Sequence, residues 1–136
     1  RIIPWKKNLS NGRYNYLTNG IDINEESIWN PPLVIDPNYS NILYHGRKKI
    51  FSTYDNGDTW VALSKAYEGF FTSIEVSPLN SEVIYAGCSN GILIVTTNGG
   101  QSWEEIHTNG LIQRYITDIE CSPHNEGTAF VTYSGY

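Results

Sequence analysis

The chain has 136 residues, and its 40% hydrophobic and 17% charged content is that of a folded protein, which excludes intrinsic disorder. Apolar runs such as Ile92–Val95 are far shorter than the roughly 20 residues a membrane helix requires, so membrane insertion is excluded as well. Nine Lys+Arg stand against 14 Asp+Glu, for a net charge of −5, so the broad positive field of a nucleic-acid-binding protein is missing.

Ten Tyr, four Trp, four Phe, 12 Gly and six Pro, with β-branched residues in the apolar runs, favour strands and turns. The chain begins at Arg1, contains no Met and stops at Tyr136 inside an expected strand, so it reads as a piece of a longer polypeptide. Self-similarity then organises the rest. Residues 1–31 form the end of one repeat and a connecting loop, since Thr18-Asn19-Gly20 is echoed by Thr108-Asn109-Gly110. Residues 32–66 begin with Leu33-Val34-Ile35-Asp36-Pro37 and Ile42-Leu43-Tyr44-His45-Gly46. Residues 67–110 return this pattern as Ile74-Glu75-Val76-Ser77-Pro78 and Val83-Ile84-Tyr85-Ala86-Gly87, and residues 111–136 start it again at Ile119-Glu120-Cys121-Ser122-Pro123. The prolines recur at spacings of 41 and 45 residues.

Turn signals cut each full unit into four short strands. In the first they span Leu33–Ile35, Ile42–Gly46, Lys49–Tyr54 and Trp60–Ser64; in the second, Phe71–Val76, Val83–Cys88, Ile92–Thr97 and Trp103–His107. Four sequential antiparallel strands in some 40 to 45 residues make the blade of a β-propeller. The expected fold is therefore all-β, a partial propeller with two full blades and two partial ones. Such a set cannot close a ring, and the remaining blades are expected in the same polypeptide rather than in identical copies. Expressed alone, the segment is expected to expose blade edges and to associate or lose stability.

Between the third and fourth strands of each full unit lies a second repeat, Thr53-Tyr54-Asp55-Asn56-Gly57-Asp58-Thr59-Trp60 and Thr96-Thr97-Asn98-Gly99-Gly100-Gln101-Ser102-Trp103. Asp55 or Asn98 accepts bonds from turn amides, Gly57 or Gly100 adopts positive φ, Thr59 or Ser102 adds a hydroxyl, and Trp60 or Trp103 buries a ring. These residues resemble the Asp-boxes, or bacterial neuraminidase repeats, over Leu17 to the C-terminus. As a set they are similar to secreted bacterial propellers of xyloglucanase-like glycoside hydrolases, sortilin-like receptors and photosystem assembly factors; sialidases share the box. The resemblance implies a structural hairpin remote from any active site, and so argues against Asp55 and Asp58 as a catalytic pair.

A meander sorts the loops onto two faces. One takes the boxes and the turns 36–41, 77–82 and 122–127; the other takes loops 21–32, 47–49, 66–70, 89–91 and 111–115. Propellers commonly bind on the second face, where Trp29, Tyr67, Phe70 and Tyr115 offer stacking surfaces and Arg47, Glu68 and Arg114 offer polar neighbours. Trp29 equally suits a loop anchor, Phe70 a gap filler, and Arg47-Lys48-Lys49 a solvated turn. A glycosidase needs two carboxylates about 5 to 9.5 Å apart; Asp22, Glu25, Glu26, Glu68 and Asp118 are the available suppliers, and no motif selects a pair. His45, His107 and His124 lack metal-site spacing, so neither a metal nor a cofactor is expected. Cys88 and Cys121 read as small buried thiols.

The leading expectation is a non-catalytic extracellular or cell-surface propeller segment that binds a protein or a glycan. The alternative is part of a xyloglucanase-like glycoside hydrolase whose carboxylates lie partly or wholly elsewhere. Docking onto a membrane complex, as an assembly factor does, rests on the resemblance alone.

Overall fold

The computed structural model describes residues 2–107, 110 and 112–135; the expected echo at Thr108-Asn109 and the loop position Leu111 lie outside the described residues. Among the described residues twelve strands follow in order: β1 (Trp5–Lys7), β2 (Tyr14–Tyr16), β3 (Leu33–Ile35), β4 (Leu43–Gly46), β5 (Ile50–Thr53), β6 (Val61–Ala62), β7 (Phe71–Val76), β8 (Ile84–Cys88), β9 (Leu93–Thr96), β10 (Glu104–Glu105), β11 (Ile116–Cys121) and β12 (Ala129–Tyr133). They form two four-stranded antiparallel meanders, β3–β6 and β7–β10, flanked by the pairs β1–β2 and β11–β12. This is a partial propeller.

Strands β3 and β7 have the expected bounds, and the others are shorter at their ends. The reason is local: Ile42 and Val83 donate their amides to Tyr39 O and Asn80 O at 3.0 Å, closing the preceding turn instead of entering the ladder. The outermost strands β6 and β10 shrink to two exposed residues each, as free edges in soluble sheets commonly do.

Two sets of three equivalent hydrogen bonds show the repeat in the backbone. Asp36, Ser77 and Ser122 amides donate at 2.9 Å to Ile42, Val83 and Thr128 carbonyls. After the fourth strand, Leu63 N reaches Ile50 O and Ile106 N reaches Leu93 O at 2.8 Å. Leu17 N reaches Pro4 O at 2.9 Å in the same way, which identifies β1 and β2 as the third and fourth strands of a blade. By the pairing of β11 with β12, those two are a first and a second strand.

The core lies between sheets rather than within one. Tyr44 and Ile50 of one sheet pack with Phe71, Ile74, Val76, Ile84 and Ile94 of the next, and Val83, Tyr85 and Leu93 pack with Ile116, Ile119 and Cys121. The Tyr-x-Gly motif follows from this packing. A Cβ on Gly46 would lie 2.8 Å from Phe71 Cβ, and one on Gly87 would lie 2.5 Å from Ile116 Cγ2, so glycine lets the next first strand approach. Thr72 Oγ1 donates to Ile116 O at 2.6 Å across the second of these joints. Cys88 and Cys121 are buried free thiols, pushed up to about 12 by burial.

The repeated turns are built by their side chains. Asp55 Oδ1 accepts from Thr53 Oγ1 at 2.7 Å and from Thr59 N at 2.8 Å, while Thr59 Oγ1 donates to Oδ2. Asn98 repeats this with Thr96 Oγ1 at 2.9 Å and Ser102 N at 3.0 Å. Gly57 and Gly100 both sit at φ +89°, a region that side-chain-bearing residues rarely enter. Each touches the preceding blade, Gly57 against Leu17 and Gly100 against Leu63. Trp60 is buried at 3% exposure with its amide on Asn19 O at 2.8 Å, and Trp103 donates its indole N–H to Leu63 O at 3.1 Å. The turn therefore clasps its neighbour as well as reversing its own strand.

Candidate functional site

The two carboxylates of the first repeated turn have different partners. The Thr59 hydroxyl, then the Thr53 hydroxyl, hold the Asp55 carboxyl down at about 2, so it stays ionised and cannot serve as a general acid. Asp58 points elsewhere and meets Lys6 Nζ at 2.5 Å.

On the opposite face, short backbone bonds draw the loops into one row. Tyr67 N donates to Lys48 O at 2.9 Å, Phe71 N to Arg47 O at 2.8 Å and Ser89 N to Phe70 O at 2.8 Å. Gly91 approaches Arg114 so closely that a Cβ there would lie 2.6 Å from its backbone nitrogen. Lys48 Nζ lies 5.3 Å from the Phe70 ring centre, and Tyr67 meets Phe71 edge-on at 5.4 Å. Glu68 and Tyr115 are exposed, and Arg114 is half-buried.

Arg47 departs from both readings given to it, whereas Trp29 departs only from that of a loop anchor. Trp29 is 88% exposed and anchors nothing in its loop. Arg47 is buried at 2% exposure, so the turn is not the solvated one expected from Arg47-Lys48-Lys49. Its guanidinium donates to Ile2 O at 3.3 Å and to Glu25 O, and Nε lies 3.7 Å from Glu25 Oε2. Arg47 thus fastens loop 21–32 from beneath, bordering a cavity of about 420 Å³ with Ile2, Asn24, Glu25 and Ser27. With Lys48 Nζ at 3.3 Å from Glu26, both glutamates of this loop carry a cationic partner.

A second feature lies along the first strands. Val34, Glu75 and Glu120 occupy equivalent register positions in β3, β7 and β11, and border a depression of about 230 Å³ with Val76, Cys121 and the repeated prolines. Burial, then Glu120, then Asp118 push the Glu75 carboxyl up to about 7. The repeat alignment already placed Glu75 and Glu120 in equivalent positions, but a polar residue between apolar ones reads as the solvent side of a strand. Only the adjacency of first strands reveals that this side is shared.

No protein-family model and no curated protein matches the chain. Similar solved structures include an extracellular domain from B. thetaiotaomicron, at TM-score 0.71 and 15% identity over 95% of this chain and 18% of that one. An ancestral GH74 enzyme is similar at TM-score 0.60 and 18% identity, over 74% of this chain and 15% of its own. YCF48 bound to a D1 peptide is similar at TM-score 0.55 and 18% identity, over 82% and 41%. These likenesses support the propeller fold, and the chain spans less than half of each.

Proposed function

We propose that the chain is a segment of an extracellular or cell-surface propeller whose 53–60 and 96–103 turns are Asp-box hairpins, and that it acts as a non-catalytic scaffold for a protein segment or a glycan. The observation that carries this reading is Trp29, a large ring 88% exposed on a loop that Arg47 bonds at Glu25 O. A presented aromatic ring, with few rotatable bonds, suits both sugar faces and peptide side chains. Tyr115, Glu68 and Phe70 extend the same loop row, and Arg114 stands beside it. The extracellular placement is supported by the B. thetaiotaomicron domain, and a peptide ligand by YCF48.

The test is fluorescence titration with xyloglucan oligosaccharides and with a library of extended peptides, comparing the wild-type chain with Trp29→Ala. Loss of a central aromatic anchor is expected to weaken binding at least tenfold, about 1.4 kcal/mol or more. Wild-type affinity in the variant, or no ligand from either set, rejects the reading.

A second reading is favoured by Glu75: a carboxyl raised to about 7 beside Glu120 is what a glycosidase acid requires. Under it, the chain is part of a glycoside hydrolase, and the polypeptide bearing these blades releases reducing ends from xyloglucan. Hydrolysis unaffected by Glu75→Gln, or absent altogether, removes this reading.

A further inference from the structure

Asparagine followed by glycine is a chemically labile pair, because without a Cβ in the way the glycine nitrogen reaches the asparagine side-chain carbonyl. Six such pairs occur, at Asn11-Gly12, Asn19-Gly20, Asn56-Gly57, Asn90-Gly91, Asn98-Gly99 and Asn109-Gly110, and Asn109 of the last lies outside the described residues. The glycine N–H must lose its proton before the nitrogen attacks, and an acceptor bonded to it holds that proton in place. In four of the five described pairs it has such an acceptor. Gly12 N donates to Asn8 O at 2.8 Å, Gly57 N to Thr53 Oγ1 at 3.0 Å, Gly91 N to Cys88 O at 3.1 Å and Gly99 N to Glu82 O at 3.0 Å.

Asn19-Gly20 differs. Among the described residues the Gly20 N–H has no acceptor, and both residues of the pair are exposed, so hydroxide from solvent reaches the amide. The pair also carries part of the joint to the first repeated turn. Asn19 O accepts from Trp60 N at 2.8 Å and Asn19 Nδ2 donates to Asp58 O at 3.2 Å. A Cβ on Gly20 would lie 2.0 Å from Trp60 O, so the two backbones touch without slack. These contacts are made wholly within residues 19–60.

We propose that Asn19 is a site of spontaneous covalent modification, at which the exposed and unbonded Gly20 amide converts the asparagine to aspartate and isoaspartate and so loosens the clasp on Trp60. The Gly20 nitrogen gives its proton to hydroxide and bonds to Asn19 Cγ; the Cγ–Nδ2 bond breaks, and the side-chain nitrogen leaves as ammonia with a proton from water. A second water then opens the cyclic imide. Cleavage at Cγ gives aspartate, and cleavage at the main-chain carbonyl gives isoaspartate. Either product lacks the Nδ2 donor to Asp58 O. Isoaspartate also carries the main chain through Cβ, which turns the carbonyl bonded by Trp60 N into a free carboxylate and lengthens the path to Gly20 by a carbon. A contact without slack does not accommodate that carbon.

Timed incubation of the 136-residue chain at mildly alkaline pH, in buffer and in concentrated urea, tests the proposal by mass spectrometry of tryptic peptides. Peptide 14–47 holds Asn19-Gly20 and no other such pair. In buffer it is expected to gain the amide-to-acid mass first, while Asn11, Asn56, Asn90 and Asn98 lag about tenfold, as one retained hydrogen bond would give. In urea, where no glycine amide keeps its acceptor, the described pairs are expected to react at similar rates. The aged chain is then expected to unfold at a lower urea concentration than the fresh one, and an Asn19→Ser chain, which has no side-chain amide to lose there, is expected to keep its midpoint on ageing. Folding that slows Asn19 as much as the other pairs overturns the proposal, as does an unchanged midpoint in the aged wild type or an equal fall in aged Asn19→Ser.

Discussion

Adjacent glycines in the second repeated turn offer a direct measure of the clasp between blades. Gly99 and Gly100 both have positive φ, +66° and +89°, but a Cβ on Gly99 meets nothing within 4 Å, whereas one on Gly100 would lie 2.5 Å from Leu63 Cγ and 2.6 Å from Cδ1. Placing alanine in the left-handed region costs roughly 1–2 kcal/mol, offset in part by the lower entropy of the unfolded chain. Gly99→Ala is thus expected to destabilise by about 1 kcal/mol. The first repeat supports a small value, because Asn56 occupies the equivalent place at φ +59°. For Gly100→Ala the Leu63 side chain must retreat by about 1 Å to restore an ordinary carbon contact, and such overpacking adds about 1–3 kcal/mol. A total near 3 kcal/mol is expected, separating the neighbours by about 2 kcal/mol. Urea unfolding followed by tryptophan fluorescence, at one fixed chain concentration, measures both. Leu63→Ala should recover at least 1 kcal/mol of the Gly100→Ala cost and none of the Gly99→Ala cost. Equal costs at the two positions, or no coupling to Leu63, would refute the idea that this turn grips the preceding blade.

Two titrations oppose each other in the stability of the fold. Burial pushes His45 down from 6.5 to about 4, so the unfolded chain binds a proton there that the folded one does not. The resulting stability is complete above pH 6.5 and is lost as pH falls to about 4, a difference of about 3 kcal/mol. His45→Gln should flatten that limb in urea titrations at several pH values; an unchanged acid limb contradicts the assignment. Glu75 works the other way. Its folded-state value near 7 means that folding takes up a proton above 4.5, so stability declines as pH rises from 4.5 to 7. Its partial solvation reduces the effect to about 1 kcal/mol. Glu75→Gln should gain that amount above pH 7 and nothing below 4.5, and a gain independent of pH would assign the change to packing instead.

The repeat was legible because its residues are required locally. Gly57 and Gly100 need positive φ, Asp55 and Asn98 organise amides of their own turn, and Gly46 and Gly87 leave space for Phe71 and Ile116. Such needs recur wherever the geometry recurs, and so appear as spaced identities. The first blade's strands were not legible, since the turn after β1 uses Asn8 and Asn11 side chains with no Gly-x-Ser/Thr-Trp to announce it. Nor could the sequence separate Arg47 from Lys48. Both are cations in a short turn, and only the return of loop 21–32 over Arg47 buries one of them. Glu75 and Glu120 were visible as letters, but their shared environment depends on strands 45 residues apart lying side by side.

The grip of Gly57 on Leu17 and of Gly100 on Leu63 has a further consequence for how such a chain can lengthen. Each unit carries a socket, the apolar residue after its fourth strand, and a plug, the turn glycine that seats in the unit before. A duplicated stretch of about 43 residues brings one of each, so an inserted blade is mated on both sides without any change in its neighbours. A duplication that is not a whole number of units separates plug from socket. The loops on the opposite face lie outside the plug and socket, and their own bonds, such as Phe71 N to Arg47 O, tie one unit to the next a second time.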